Sequence, residues 1–134
     1  MIHPIVFDTN VLISGYLWKG KPRHALKLIR SGPYRLLYAR QTLDELVRVL
    51  SLKFSLDASE IYRIVEDIRA FGKEVNIASE ECPVSGDSSD NFFVNLALDG
   101  KAEIIVSGDS HLLRLKKFKG IGIISVAEFL ARAS

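Results

Sequence analysis

Ile5-Val6-Phe7 is an uninterrupted apolar triplet, preceded by Pro4 and followed at once by Asp8-Thr9-Asn10. A run this short and this apolar reads as a strand buried on both faces, which belongs in the middle of a parallel sheet. The strand ends in a carboxylate. In an open α/β sheet the crevice outside the carboxyl ends of the strands is where ligands bind, so Asp8 falls where such an architecture does its chemistry. The plainer reading makes Asp8 the N-cap of the helix that follows. Function is favoured only if other acids reach the same rim.

The rest of the chain alternates helices and strands. Residues 11–18 begin as a helical turn that Lys19-Gly20-Lys21-Pro22 breaks. Pro22 starts a helix with Ala25, Leu26, Leu28 and Ile29 as its buried stripe, and Ser31-Gly32-Pro33 stops it. Residues 34–39 return as a strand. Thr42-Leu43-Asp44-Glu45 opens the next helix, and Asp57 a further one that Gly72 ends. Residues 74–77 form a short strand and residues 78–89 a polar loop. Then come a helix over 90–98, the strongly apolar strand Ile104–Val106, a short helix Ser110–Leu115, a strand Ile121–Ile124, and a terminal helix Val126–Ala133 capped by Ser125. This alternation predicts an α/β fold, a mostly parallel sheet covered on both faces and joined by right-handed crossovers. With 134 residues and no linker or repeat, residues 1–134 read as one domain.

Composition narrows the setting. At 48% hydrophobic and 25% charged residues the chain is globular rather than disordered. The lone Cys82 allows no internal disulfide, and neither a signal peptide nor an apolar run of spanning length is evident. The expectation is a reducing, cytoplasmic setting without a membrane. A net charge of +2 does not announce a nucleic-acid binder, but two basic clusters stand out: Lys19, Lys21 and Arg23, then Arg114, Lys116, Lys117 and Lys119. Alone, each reads as a solvated face.

Both strongly apolar strands end in an acid, Asp8 and Asp109, which share a rim if the strands are parallel neighbours. Glu45 and Asp90 can join them from helix starts. Each acid has a quiet explanation: Thr42 and Glu45 as an S/T-x-x-E capping box, Asp90 as an ordinary helix-start residue. Together they mean more. Four carboxylates on one rim repel one another, and without a counter-ion some would take up protons. Hard oxygen donors suit Mg²⁺ or Mn²⁺. With one or two such ions, the rim could polarise a phosphoryl oxygen, activate water and stabilise the leaving oxygen, giving in-line hydrolysis with no covalent intermediate on the protein.

Four segments in order carry a family resemblance: residues 7–14 (FDTNVLIS), 43–46 (LDEL), 90–97 (DNFFVNLA) and 105–109 (IVSGD). The chain resembles the PIN-domain family, and more narrowly the branch described as toxins of prokaryotic toxin–antitoxin systems. The resemblance implies a three-layer α/β/α fold and a metal-dependent endoribonuclease acting on single-stranded or structured RNA. It implies a catalytic quartet of Asp8, Glu45, Asp90 and Asp109, with Asp8, Asp90 and Asp109 on the metal. It also implies that Asn10 and Ser107 support the metal-site carboxylates by hydrogen bonds. Partners implied are RNA, a small antitoxin protein covering the acidic rim, and self-association, for which the helix from Asp57 to Phe71 and Tyr62 offer apolar contacts. The family often carries a further acid two residues after the Gly-Asp pair, where this chain has His111. That histidine is expected to cap the short helix or face solvent rather than bind metal. Asp87 is a further loop acid of open role, and His3 and His24 read as structural or exposed.

If the two basic clusters flank the rim, Lys19, Lys21, Arg23, Arg114 and Lys116 would hold RNA phosphates, with Arg40 beside them. Two other readings compete. A phosphatase with Asp8 as nucleophile, of the haloacid-dehalogenase type, would need a second Asp where Asn10 stands. A catalytically silent RNA- or protein-binding module would keep the fold without the turnover.

Overall fold

The computed structural model describes residues 1–84 and 88–133, so Asp87 lies outside the described residues. In chain order the elements are β1 (His3–Phe7), α1 (Thr9–Leu17), α2 (Lys21–Ser31), β2 (Tyr34–Tyr38), α3 (Arg40–Leu52), α4 (Ala58–Phe71) and β3 (Lys73–Glu74). They continue with α5 (Ser88–Gly100), β4 (Ile104–Val106), α6 (Ser110–Leu115), β5 (Lys117–Phe118), β6 (Ile121–Ile124) and α7 (Val126–Ala133).

The strands form one sheet in the order β3-β2-β1-β4-β6-β5, parallel throughout except where β5 pairs with β6. The chain winds outward from β1 to β3, and α5 then carries it back to lay β4 on the other side of β1. β1 and β4 are thus neighbours at the point where the winding reverses, the place where open α/β sheets form their ligand crevice.

Successive strand residues face opposite sides, and both sides are covered. Ile5, Phe7, Leu36, Tyr38, Val106 and Ile124 pack with α1, α2, α3, α4 and α7. Val6, Leu37, Ala39, Ile105 and Ile123 pack with α5 and α6. The expected three-layer α/β/α arrangement with a mostly parallel sheet is what the chain adopts. Ile5 and Phe7 on one face are each 1% exposed and Val6 on the other is wholly buried; burial at that level contributes about 1.5–3 kcal/mol per side chain, so β1 is anchored from both sides. Ile61 and Ile68 of α4 are buried in the same core, whereas Tyr62 is exposed. Among the described residues no helix is long and apolar enough to cross a membrane.

Three local expectations change. The third helix begins at Arg40, not Thr42, with Ala39 as its N-cap. Ala39 has no side-chain acceptor, and Thr42 compensates from inside the helix: its Oγ1 accepts from Ala39 N at 3.1 Å, and its N donates to Ala39 O at 2.9 Å. The Thr42–Glu45 capping box is therefore not formed, and Glu45 moves into the second turn.

The third strand is Lys73–Glu74 rather than residues 74–77. Val75 N still donates to Tyr38 O at 2.8 Å, but Asp99 then accepts from the N–H groups of Ala78 and Ser79 at 2.6 and 2.9 Å and draws the chain off the sheet edge. Asp99 belongs to a ladder on one face of α5. Asn95 brackets Glu81 through its N–H and C=O at 2.9 and 3.0 Å, and Asn91 does the same with Val84 at 2.9 and 3.0 Å. Side chains at intervals of four residues thus pin residues 78–84 along α5, and this fixes the helix whose first turn carries Asp90.

The third change is β5, a strand not anticipated. Lys119 and Gly120 between β5 and β6 have φ of 48° and 86°, and positive φ at both central residues is what a two-residue type I′ hairpin requires.

Candidate metal centre

The register of β1 against β4 pairs Phe7 with Val106, so the next residues, Asp8 and Ser107, stand level just beyond the strand ends. Backbone bonding continues there: Asp8 N donates to Val106 O at 3.1 Å and Ser107 N to Ile124 O at 3.0 Å. Asp8 is 4% exposed and Ser107 wholly buried. Asp8 Oδ1 accepts from Val11 N at 2.8 Å and so caps α1. Its Oδ2 accepts from Ser107 Oγ and, at 3.3 Å, from Gly108 N. Both readings of Asp8 are therefore physically present in one side chain: it is a cap, and it is a buried carboxyl on the crevice. Burial holds this carboxyl above its ordinary value of 3.8. That effect outweighs the hydrogen bonds from Ser107, Val11 and Gly108, and the nearby charge of Asp109 raises it further.

Asp109 also has two duties. Its Oδ1 accepts from His111 N at 2.8 Å and Leu112 N at 3.2 Å, capping α6, while its own N donates to Ser107 Oγ at 2.9 Å. Ser107 thereby ties the two acids to one hydroxyl. Asp90, 6% exposed, comes to the same place from α5. A carboxylate oxygen of Asp90, one of Asp109 and a ring nitrogen of His111 all lie within 4.8 Å of one another.

Glu45 stands on the α3 wall of the same cleft, outside that tight group, and is held by a fork from Arg48, whose Nη2 lies 2.9 and 2.8 Å from its two oxygens. The cleft, of ≈ 640 Å³, is lined by Asp8, Asn10, Glu45, Asp90 and Asp109 together with Arg48, Lys53, Phe92 and Phe93. All four expected acids thus meet in one cleft. Asn10 is exposed on its wall, and Ser107 is buried against Asp8.

The donor chemistry fits a divalent cation. The set is hard carboxylate oxygens with one imidazole, and a carboxyl whose ionisation is opposed by burial and by a neighbouring acid is what a cation would relieve. Asp90, Asp109 and His111 bring donor atoms within 4.8 Å of one another, and Asp8 lines the same cleft.

The chain is similar to a known group over most of its length: a model of the PIN domain family matches residues 4–111, a span that includes all four acids. The chain belongs to the PIN-domain family. Comparison with curated proteins returned no match. PIN domains are generally metal-dependent nucleases, and the four acids of this PIN domain line one cleft at the sheet's switch point.

The basic residues expected to hold RNA phosphates lie outside the lining of the acidic cleft. Lys19 and Arg23 line a separate shallow depression with His24 and Lys27. The Arg23 guanidinium donates to Gly15 O and Tyr16 O at 3.4 and 3.2 Å, so it braces the end of α1. Lys21 is exposed in the first turn of α2, and Arg114 and Lys116 are exposed at the end of α6. None of the five lines the acidic cleft; its cations are Arg48 and Lys53. The missed signal was periodicity, since Glu45, Arg48, Val49 and Lys53 fall on one helical face. Phe92 and Phe93, expected only as core, are half-buried and also form cleft wall. His3 pairs with Glu103 at 2.6 Å, away from the cleft.

Proposed function

We propose that this PIN domain is a divalent-metal-dependent endoribonuclease that cuts RNA by in-line hydrolysis in the cleft between β1, β4, α3 and α5. The observation that carries the proposal is the convergence of Asp8, Glu45, Asp90 and Asp109 on that cleft. The chemistry a bound Mg²⁺ or Mn²⁺ supplies is neutralisation of the carboxylates and polarisation of a phosphoryl oxygen. Asp8, Asp90 and Asp109 hold the ion, and Ser107 fixes the Asp8 carboxyl and the backbone of Asp109. Glu45 caps no helix, and its carboxylate is poised to orient the attacking water and accept its proton. Arg48 and Lys53 take the RNA phosphates, and the half-buried rings of Phe92 and Phe93 give unstacked bases an apolar surface.

The narrower role follows the sequence resemblance: the toxin of a toxin–antitoxin pair, acting in the cytoplasm as one folded domain and silenced by a small antitoxin. Exposed Val47, Leu52 and Tyr62 on α3 and α4 offer apolar surface to such a partner or to a second copy of the chain.

The test is cleavage of single-stranded RNA with Mg²⁺ or Mn²⁺ by wild type, Asp8→Asn and Asp109→Asn. Loss of cutting in both variants with unchanged circular dichroism supports the reading; undiminished cutting in both overturns it. One observation favours a silent module instead, namely that Asp8 and Asp109 already serve as helix caps. That reading requires RNA binding with no turnover under any divalent metal.

A further inference from the structure

We propose that His111 is a ligand of the Asp90–Asp109 centre, giving it an imidazole donor and a preference for Mn²⁺ over Mg²⁺. The inference rests on the reading that the cleft holds a divalent cation, and it concerns the imidazole that stands beside Asp90 and Asp109. His111 is the second residue of α6, and its backbone N–H donates to Asp109 Oδ1 at 2.8 Å, which ties the residue to the acid it would share an ion with. The cap bonds of α6 come from backbone N–H groups to Asp109, so the His111 ring plays no part in them. Its Nδ1 lies 3.6 Å from Asp109 Oδ1, too far for a good hydrogen bond.

Donors bonded at about 2.1 Å to one ion are separated by at most about 4.2 Å. The three donors of Asp90, Asp109 and His111, all within 4.8 Å of one another, reach a common ion by small side-chain rotations. His111 is 52% exposed on its side chain and Asp90 is buried, so the centre combines a donor open to solvent with one held inside the fold. The metal consequence follows from ligand type. Mg²⁺ favours oxygen donors and retains its waters, whereas imidazole suits Mn²⁺ and later first-row ions.

The experiment loads the full chain with MnCl₂ and records pulsed electron paramagnetic resonance on wild type, His111→Ala and His111→Asp, with calorimetric titration of Mn²⁺ and of Mg²⁺. Nitrogen hyperfine coupling is expected in wild type and absent in both variants. The Mn²⁺-to-Mg²⁺ affinity ratio should fall at least about tenfold in His111→Asp, a loss typical even of groups that only support a ligand. Thermal melts of the half-exposed variants check that the fold persists. Mn²⁺ bound without nitrogen coupling, or a ratio unchanged in both variants, overturns the role of His111 and leaves the nuclease reading standing. Mn²⁺ binding that is absent, or indifferent to Asp109→Asn, overturns both.

Discussion

Ser107 and Asp8 sit level at the carboxyl ends of adjacent parallel strands, and Ser107 Oγ donates to Asp8 Oδ2. The same hydroxyl accepts from Asp109 N, so one buried side chain sets the spacing of two acids about a hundred residues apart in sequence. The centre is built into the sheet rather than onto a loop, and its members should respond together.

Ser107→Ala should cost about 1–3 kcal/mol, because it strips a buried carboxyl and a part-buried N–H of their shared partner. Urea denaturation at neutral pH measures this, and an unchanged m-value would confine the effect to the folded state. A midpoint equal to wild type would show that the hydroxyl does not hold the pair.

Asp8 sets a pH dependence. Its unfolded value is near 3.8 and its folded value is higher, so the fold binds this proton more tightly. The stability it contributes is complete below the unfolded value and is lost as pH rises through the folded one. Asp8→Asn should therefore gain stability relative to wild type as pH rises above 3.8 through the higher folded value in metal-free buffer. Saturating Mn²⁺ at neutral pH should raise the wild-type Tm, by the equivalent of about 2.7 kcal/mol at a hundredfold excess over Kd, and leave the variant unmoved. A stability difference that stays flat with pH would contradict the burial argument.

Asp99 runs the other way. Hydrogen bonds from the Ser79 hydroxyl, Ser79 N and Ala78 N hold its carboxyl below 3.8. Its contribution is present above the unfolded value and lost as pH falls through the folded one. The deficit of Asp99→Ala against wild type should thus shrink in acid, and amide exchange at Ala78 and Ser79 should quicken in the variant at neutral pH. Protection retained at both amides would mean that the loop is held elsewhere.

The cleft cations make a prediction about RNA. Arg48→Ala and Lys53→Ala should each weaken binding across sequences and lower the salt slope by about one. Arg48→Ala should further lower turnover, since it frees Glu45 from its fork. Lys19→Ala and Lys21→Ala should leave the slope unchanged; fluorescence anisotropy against a short RNA at several salt concentrations separates the two sets. A slope that responds to Lys19 instead would place the RNA outside the acidic cleft.

Much of this was readable in one dimension. Apolar triplets flanked by polar residues marked β1 and β4 because burial on both faces leaves no room for alternation, and the acids after them were visible for the same reason. Caps such as Asp57 with Glu60 at the start of α4 were equally local. The start of α3 was not, because Ala39 carries no capping signal and Thr42 supplies the bond from within the helix. Nor was the end of β3, which Asp99 decides from more than twenty residues away.

The amino-acid sequence by itself determined the layers, the two acid-tipped strands and the quartet of candidate acids, since these follow from short-range patterns of burial and polarity. Only the tertiary structure decided that β4 lies beside β1 in the register that levels Ser107 with Asp8. It also decided that Arg48 and Lys53, not Lys19 or Arg23, line the acidic cleft, and that His111 comes close to Asp90 and Asp109. The reason is physical: which side chains meet at a sheet's rim depends on strand order, on a register in which a one-residue slip turns every side chain over, and on the face each helix presents. Contacts between segments far apart in the chain set all three.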